Sequence, residues 1–376
     1  MRRIPLSPRA DWREHAKSIG FDFAEIGGEP YWDETACWRL TADEVDVLDD
    51  ATAELQRLCL AAVEHAVRHG KGAMLGIPDQ VWPLVVQSWD RQEPSLYGRM
   101  DLRWDGTGPP LLLEYNADTP TSLFEASVVQ WEWLTTTRPH ADQFNGIHEA
   151  LLAAWLHVPL PGGLHFTCQR DSDEDRTTVE YLRDTAVQSG IDAPFLYVDE
   201  IGWDGQRFLD MAERPIRNLF KLYPWEFLLR DEFGANIAAA DTRWIEPAWR
   251  MLLSGKGLLA LLWELFPGHP NLLPAFREPG RTGGKEIAKP LWGREGANVT
   301  APGWTTGGPY GQEGFVHQQW AELPRTDGRY AVIGSWVIEG TPRGIGIRED
   351  ATPITQDTSR FVPHFFDPRP DDGNPA

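Results

Sequence analysis

Cysteine is scarce in this chain: Cys37, Cys59 and Cys168 stand far apart with no metal-ligand spacing. An odd number gives no closed disulfide framework, and such a chain is expected in a reducing cytoplasm. Long apolar runs are missing too. No stretch of about 18 apolar residues exists to cross a membrane, and residues 1–19 lack the apolar core of a signal peptide. Basic charge is in deficit, 35 Lys and Arg against 56 Asp and Glu, leaving a net charge of −21. That balance argues against nucleic acid as a partner, because phosphate backbones need basic stripes. It suits cationic small molecules such as polyamines, and metal ions. Two hydrolytic signatures, His-Glu-x-x-His and Gly-x-Ser-x-Gly, are also absent, and no internal repeat is present.

What is there reads as a globular enzyme-sized chain. Its 376 residues exceed one typical domain, so two or three subdomains in one body are expected, with 41% hydrophobic residues to fill the core. The 18 Trp are unusual, and most are expected inside. Thr41-x-x-Glu44 is a capping box opening a long helix, with Val45, Leu48, Thr52, Leu55, Cys59, Ala62 and Ala66 as its buried stripe and Gly70 as its stop. His65 and His69 have the spacing of a metal pair, but cations in a last helical turn are the stronger reading. A shorter helix follows Pro78, Ser122-x-x-Glu125 caps another running to about Leu134, and residues 254–267 form a third. Short strands and a helix alternate between 163 and 245, the texture of a small α/β insertion. Glycines crowd residues 280–314, and strands at 330–338 and 344–348 make a hairpin.

The segment richest in chemistry is Arg99-Met-Asp101-Leu-Arg103-Trp, then a turn-rich connection, then Leu111-Leu-Leu-Glu114-Tyr-Asn116. Pairing about the centre of the connection sets Trp104 opposite Leu111, Asp101 opposite Glu114 and Arg99 opposite Asn116. Period-two alternation then gathers Arg99, Asp101, Glu114 and Asn116 on one face, with Met100, Leu102 and Tyr115 on the other. Facing carboxylates repel unless a cation lies between them. Two carboxylates and an amide oxygen form a hard-oxygen set suited to Mg²⁺ with bound phosphates. Spacing alone leaves a second reading equally open, a solvated hairpin whose acids are neutralised by Arg99 or Arg103.

Glu114-Tyr-Asn116-Ala-Asp118-Thr-Pro-Thr121 resembles the E-Y-N-A-D-[ST] signature of the glutathionylspermidine synthase family. The resemblance continues through Arg99-x-Asp101, the Ser122–Trp131 helix start, Lys256, Ala288-Lys289-Pro290, Gly293-Arg-x-Gly296-x-Asn298, Gln318-Gln319-Trp320 and Arg348, in the family's order over roughly residues 20–350. It implies an α+β, ATP-grasp fold of the permuted, glutathione-synthetase-like kind. It also implies an ATP-dependent ligase that phosphorylates a substrate carboxylate and lets an amine attack the acyl phosphate. The expected cofactors are ATP and Mg²⁺. By the resemblance Asp101, Glu114 and Asn116 hold Mg²⁺, and Arg99 and Arg348 serve the reacting acyl phosphate. Arg99, Asp101, Lys256 and Lys289 contact nucleotide phosphates, the loop around Gly296 covers them, and Gln318 and Gln319 line the adenine side. Taken alone, the Gly293–Asn298 stretch is not a Walker A sequence and reads as a turn, and the two lysines read as surface residues.

The substrate side departs further from the family. Thr119 and Thr121 replace serines. Glu174 and Asp175 match a Glu-Glu pair that contacts glutathione, although an acidic helix start explains them equally. The family's K-T-W-A-W-E-T stretch reads Lys221-Leu-Tyr-Pro-Trp225-Glu226-Phe227, with Phe227 replacing a threonine hydroxyl. The expected substrates are therefore a peptide-like small carboxylate other than glutathione and an amine, with a polyamine as one candidate. The alternative is an ATP-grasp protein that binds nucleotide without catalysis. The expected organisation runs from residues 1–162, carrying the metal-binding hairpin, through an inserted substrate unit at 163–245. A nucleotide-binding part with a glycine-rich lid follows at 246–365, then a disordered tail at 366–376. No amidase domain is expected, and the assembly is expected to be a monomer or homodimer.

Overall fold

The computed structural model describes residues 1–369. The Thr41 capping box forms as expected: its side chain accepts the Glu44 N–H while Glu44 bonds back to the Thr41 N–H, and the helix Ala42–His69 ends at a left-handed Gly70. The expected stripe is buried from Leu48 to Ala66, with Val45 half-buried at its start. This helix packs on a six-stranded sheet through polar as well as apolar contacts. Thr52 Oγ1 meets Ser335 Oγ at 2.7 Å, and Gln56 Oε1 accepts from Tyr115 Oη at 2.8 Å. His65 and His69 lie beside each other in the last turn with their rings tilted by 41°, and among the described residues no group of three His, Cys, Asp or Glu could hold a metal.

The main path of the sheet runs Arg360–Val362, Thr341–Asp350, Arg329–Ile338, Tyr97–Arg103, Leu111–Asn116, all antiparallel. The expected register holds where it matters: Arg99 pairs with Asn116 and Asp101 with Glu114. Beyond them a bulge between Asp101 and Leu102 shifts the pairing, so Arg103 rather than Trp104 faces Leu111. A bulge adds one residue to one strand and increases local twist. Met100, Leu102 and Tyr115 enter the main core, as alternation requires.

A second antiparallel sheet, ordered Ala275–Phe276, Phe315–Gln319, Glu286–Pro290, Thr300–Ala301, Trp304–Thr305, stands against the edge strand Leu111–Asn116. Two side chains tie them: Lys289 Nζ donates to Leu113 O and Gln318 Nε2 to Leu112 O, both at 2.9 Å. A third sheet is parallel, His165–Cys168 and Arg243–Ile245 flanking Asn218–Leu222, with the helix Asp173–Gln188 crossing between its first two strands. Within the stretch expected to alternate short strands with a helix, residues 195–198 form no strand, only a bridge between Phe166 and Phe195.

Two further readings need correction. Ser122 does not cap a helix: it sits at φ 66° and its hydroxyl pairs with Tyr31 Oη at 3.0 Å. A π-helical turn, Glu125–Val129, precedes the α-helix Gln130–Thr137. A tail drawn from 366 begins too early, because His364–Phe366 is a strand parallel to Ala36–Leu40. Residues 370–376, where the rest of that expectation falls, lie outside the described residues. The tryptophans behave as expected, eleven of the eighteen being buried.

Candidate active site

The hairpin face carries a charge network. Arg99, 8% exposed, forks onto Asp101 with Nε–Oδ1 at 2.7 Å and Nη2–Oδ2 at 3.1 Å. Its Nη1 donates to Thr121 O at 2.7 Å, which fixes the guanidinium against the segment following the second strand. Burial works against the Arg99 charge, but Asp101 and Glu114 more than offset it and hold the guanidinium above its ordinary range. Asn116 Nδ2 bridges Asp101 Oδ2 at 3.3 Å and Glu114 Oε1 at 3.2 Å. Glu114 Oε2 meets Lys256 Nζ at 3.1 Å. Burial pushes the Glu114 carboxyl up, but Lys256 and Lys289 outweigh it and bring it down to about 2.

Lys289 is not the surface lysine its type suggests. Its ammonium is buried between Leu113 O and Gln318 Oε1, both at 2.9 Å. Burial lowers its pKa to about 8, with Glu114 holding it from falling further. Gln318 is buried with both ends of its amide engaged, while Gln319 faces the cavity. Arg348 reaches the carbonyls of Gln356, Asp357 and Ser359. Gly296, at φ 69°, must be glycine for space as well: a Cβ there would lie 2.7 Å from Thr355 O.

All the residues to which the resemblance gives a metal, nucleotide, catalytic or substrate role, except Glu174, line one cavity of about 300 Å³ between the two antiparallel sheets and the parallel-sheet unit. Its charged lining is five cations (Arg99, Lys256, Lys289, Arg294, Arg348) against four acids (Asp101, Glu114, Asp175, Glu295). A locally cationic pocket in a chain of net charge −21 is suited to a polyanion. The donor set also fits a magnesium ion. Two carboxylates converge on one amide, and turning that amide presents Oδ1 where Nδ2 now bridges them. Magnesium takes few protein ligands when phosphates complete its shell.

Sequence reading missed Arg294 as a site residue. Its guanidinium donates to Glu226 Oε1, with Nη2 at 2.8 Å, and to Thr119 Oγ1 at 2.8 Å. Its one signal was a position between Gly293 and Gly296 in a stretch read as a covering loop. Gln169, Phe227 and Tyr310 also line the cavity, and Phe227 stands where the family's threonine hydroxyl is lost.

Residues 3–367 match the family described as "Glutathionylspermidine synthase preATP-grasp". The chain belongs to the glutathionylspermidine synthase family. A Haemophilus influenzae relative named "Putative acid--amine ligase" is 40% identical over 394 residues, covering 98% of this chain and 100% of that one. The trypanothione synthetase of Crithidia fasciculata is 28% identical over 76% of this chain and 49% of its own. The bifunctional glutathionylspermidine synthetase/amidase of Escherichia coli is 26% identical over 87% of this chain and 58% of its own. The chain thus spans about half the length of these last two. A glutathione synthetase-like effector from Globodera pallida, 9% identical, superposes with a TM-score of 0.55 over 87% of this chain and 88% of that one. The fold of this family member is accordingly the mixed helix-and-strand, glutathione-synthetase-like ATP-grasp fold.

Beside the cavity lies a second acidic group. Ser172 caps the helix Asp173–Gln188 by accepting the Asp175 N–H at 3.2 Å, and Asp175 reaches the cavity wall while Glu174 does not line it. Burial, then the Glu174 charge, pushes both Asp175 and the wholly buried Glu125 up to about 7. Glu125 Oε1 accepts from Tyr31 Oη at 2.8 Å. Folded Glu125 keeps a proton that the unfolded chain releases above its ordinary value of 4.5. The folded state therefore binds more protons in that window, and stability falls as pH rises toward about 7. Glu125→Gln is expected to flatten this fall, raising Tm at about pH 8 by a few degrees over wild type. A thermal melt series across pH checks it, and a lower Tm for the variant at that pH would contradict the raised Glu125 pKa.

Proposed function

We propose that the chain is an ATP-dependent ligase joining a small carboxylic acid to an amine through an acyl phosphate. The observation that carries this reading is the single cavity where a facing carboxylate pair, an amide and five cationic side chains converge. Phosphoryl transfer asks little covalent help of a protein and much charge neutralisation and positioning, which this set supplies. Asp101, Glu114 and Asn116 hold Mg²⁺, which when bound neutralises the nucleotide phosphates. Lys256 and Lys289 contact those phosphates, the turn at Gly296 lets backbone approach them, and Gln318 and Gln319 stand on the adenine side. Arg99 and Arg348 stabilise the acyl phosphate. Thr119, Thr121 and Asp175 position the substrates, and Glu174 acts only through its charge on Asp175. A carboxylate oxygen of the acid attacks the terminal phosphorus of ATP and ADP leaves; the neutral amine then attacks the acyl carbon, gives up a proton and expels phosphate, leaving the amide. The family resemblance and the ligase and synthetase names of the relatives support the same reading.

The test is incubation with ATP and Mg²⁺ over pooled carboxylates and amines, following ADP and product masses. ADP formation that requires both partners, with a product mass equal to acid plus amine less water, is the expected result. Nucleotide binding without ADP across broad pools would favour a non-catalytic relative, and no nucleotide binding would overturn the reading.

A further inference from the structure

Behind the main cavity lies another of about 400 Å³, within the range of small-molecule sites. Its throat is apolar, built by Val81, Leu84, Leu229, Ile237, Met251 and Trp292. Its rim is polar, with Gln80 and the Arg230–Glu313 ion pair at 2.7 Å. One charged group within it is deeply buried: Glu226, 7% exposed. Glu226 forms the partition between the two cavities. Its Oε1 takes both bonds from Arg294, which lines the main cavity, whereas its Oε2 accepts no hydrogen bond among the described residues. That oxygen is open to the cavity rather than sealed in the core, and a charged donor is the strongest partner a carboxylate oxygen can take there.

We propose that this second cavity is a binding site for a small amine with an apolar body, its ammonium paired with Glu226 Oε2 and its body in the throat. Size, apolar lining and the unpartnered carboxylate oxygen select this class together. A polyamine would strand its further charges in the apolar throat, and an acid would meet Glu226 with like charge. The site stands apart from the ligation reading, and its test needs neither nucleotide nor turnover.

The probe is 2-phenylethylamine, titrated calorimetrically into the full chain without ATP, with 2-phenylethanol as its neutral counterpart of matching shape. The amine is expected to bind at one site, at least tenfold more tightly than the alcohol. Glu226→Gln should remove that preference. Ala238→Trp, a substitution at an exposed rim position, should weaken amine binding tenfold or more while Tm stays near wild type. It also keeps the test decisive should Glu226→Gln disturb Arg294. Equal binding of amine and alcohol, amine binding indifferent to Ala238→Trp, or no binding at all would each overturn the proposal.

Discussion

Glu114→Gln is expected to lower the rate of ADP formation by about 10³-fold or more while shifting Tm by only a few degrees. The small stability effect follows from the position of the side chain, 27% exposed at the cavity wall rather than locked in the core. The large kinetic effect has two sources. Glutamine keeps the shape but not the charge of a ligand that faces Asp101 across the hairpin, so the proposed magnesium site loses one of its two carboxylates. The second source is Lys289. Burial alone drives its pKa down and Glu114 is the leading group holding it at about 8, so removing that carboxylate lowers it further. Near neutral pH the variant then loses cationic charge at the proposed phosphate site as well. The pH profile separates the two: wild-type activity should fall as Lys289 deprotonates above about pH 8, and residual variant activity should fall at lower pH. A Glu114→Gln protein keeping more than about a tenth of wild-type activity would remove Glu114 from the machinery.

The hairpin shows why part of this site was legible. Facing strands with a period of two put four polar residues on one face, and that arithmetic is local, so the Asp101–Glu114 pairing could be read from spacing. The bulge one residue further on could not, because it reflects how Leu102 and Leu112 are drawn into a core contributed by distant segments. The same contrast runs through the rest. Thr41 and Glu44 are three residues apart and signalled their helix correctly. Ser122 and Glu125 have the same spacing, yet Tyr31, ninety-one residues upstream of Ser122, takes both side chains for a buried network. Lys289 and Arg294 carried no sign of these contacts, since the groups that bind them, Leu113 and Gln318 for one, Thr119 and Glu226 for the other, lie far away in the sequence. The motifs resembling the family located the cavity, whereas the second cavity, made of segments around 76–84 and 226–238 with Met251, Trp292 and Glu313, has no linear signature.

Asp118→Ala is expected to be among the most destabilising single changes in the chain, by about 3–5 kcal/mol, with Tm falling by about 5 °C. Asp118 closes the Glu114-Tyr-Asn116-Ala-Asp118 motif, but it is buried beneath the cavity floor. Its Oδ1 accepts from Lys221 Nζ at 2.5 Å and its Oδ2 from the Trp225 N–H at 2.9 Å. Lys221 is equally buried, its ammonium 4.7 Å from the Trp225 ring centroid and bonded to Tyr223 O at 3.1 Å. This cluster pins the hairpin that carries Asp101 and Glu114 to the Asn218–Leu222 strand of the parallel-sheet unit, so the motif's last residue sets the geometry of the first. Alanine would leave a buried cation and a buried N–H without their acceptor. Burial already lowers the Lys221 pKa and Asp118 is the main group opposing it, so in the variant Lys221 would fold in its neutral form. The unfolded chain still binds that proton up to its ordinary value of 10.5, so the variant's stability should rise with pH across that window. The deficit against wild type should therefore narrow from neutral pH toward about 10. Adding Lys221→Met to Asp118→Ala removes the stranded cation and should recover part of the loss, a coupling that a double-mutant cycle reads directly. Strict additivity of the two changes, or a deficit that does not vary with pH, would show that the pair is not what joins the hairpin to its neighbour.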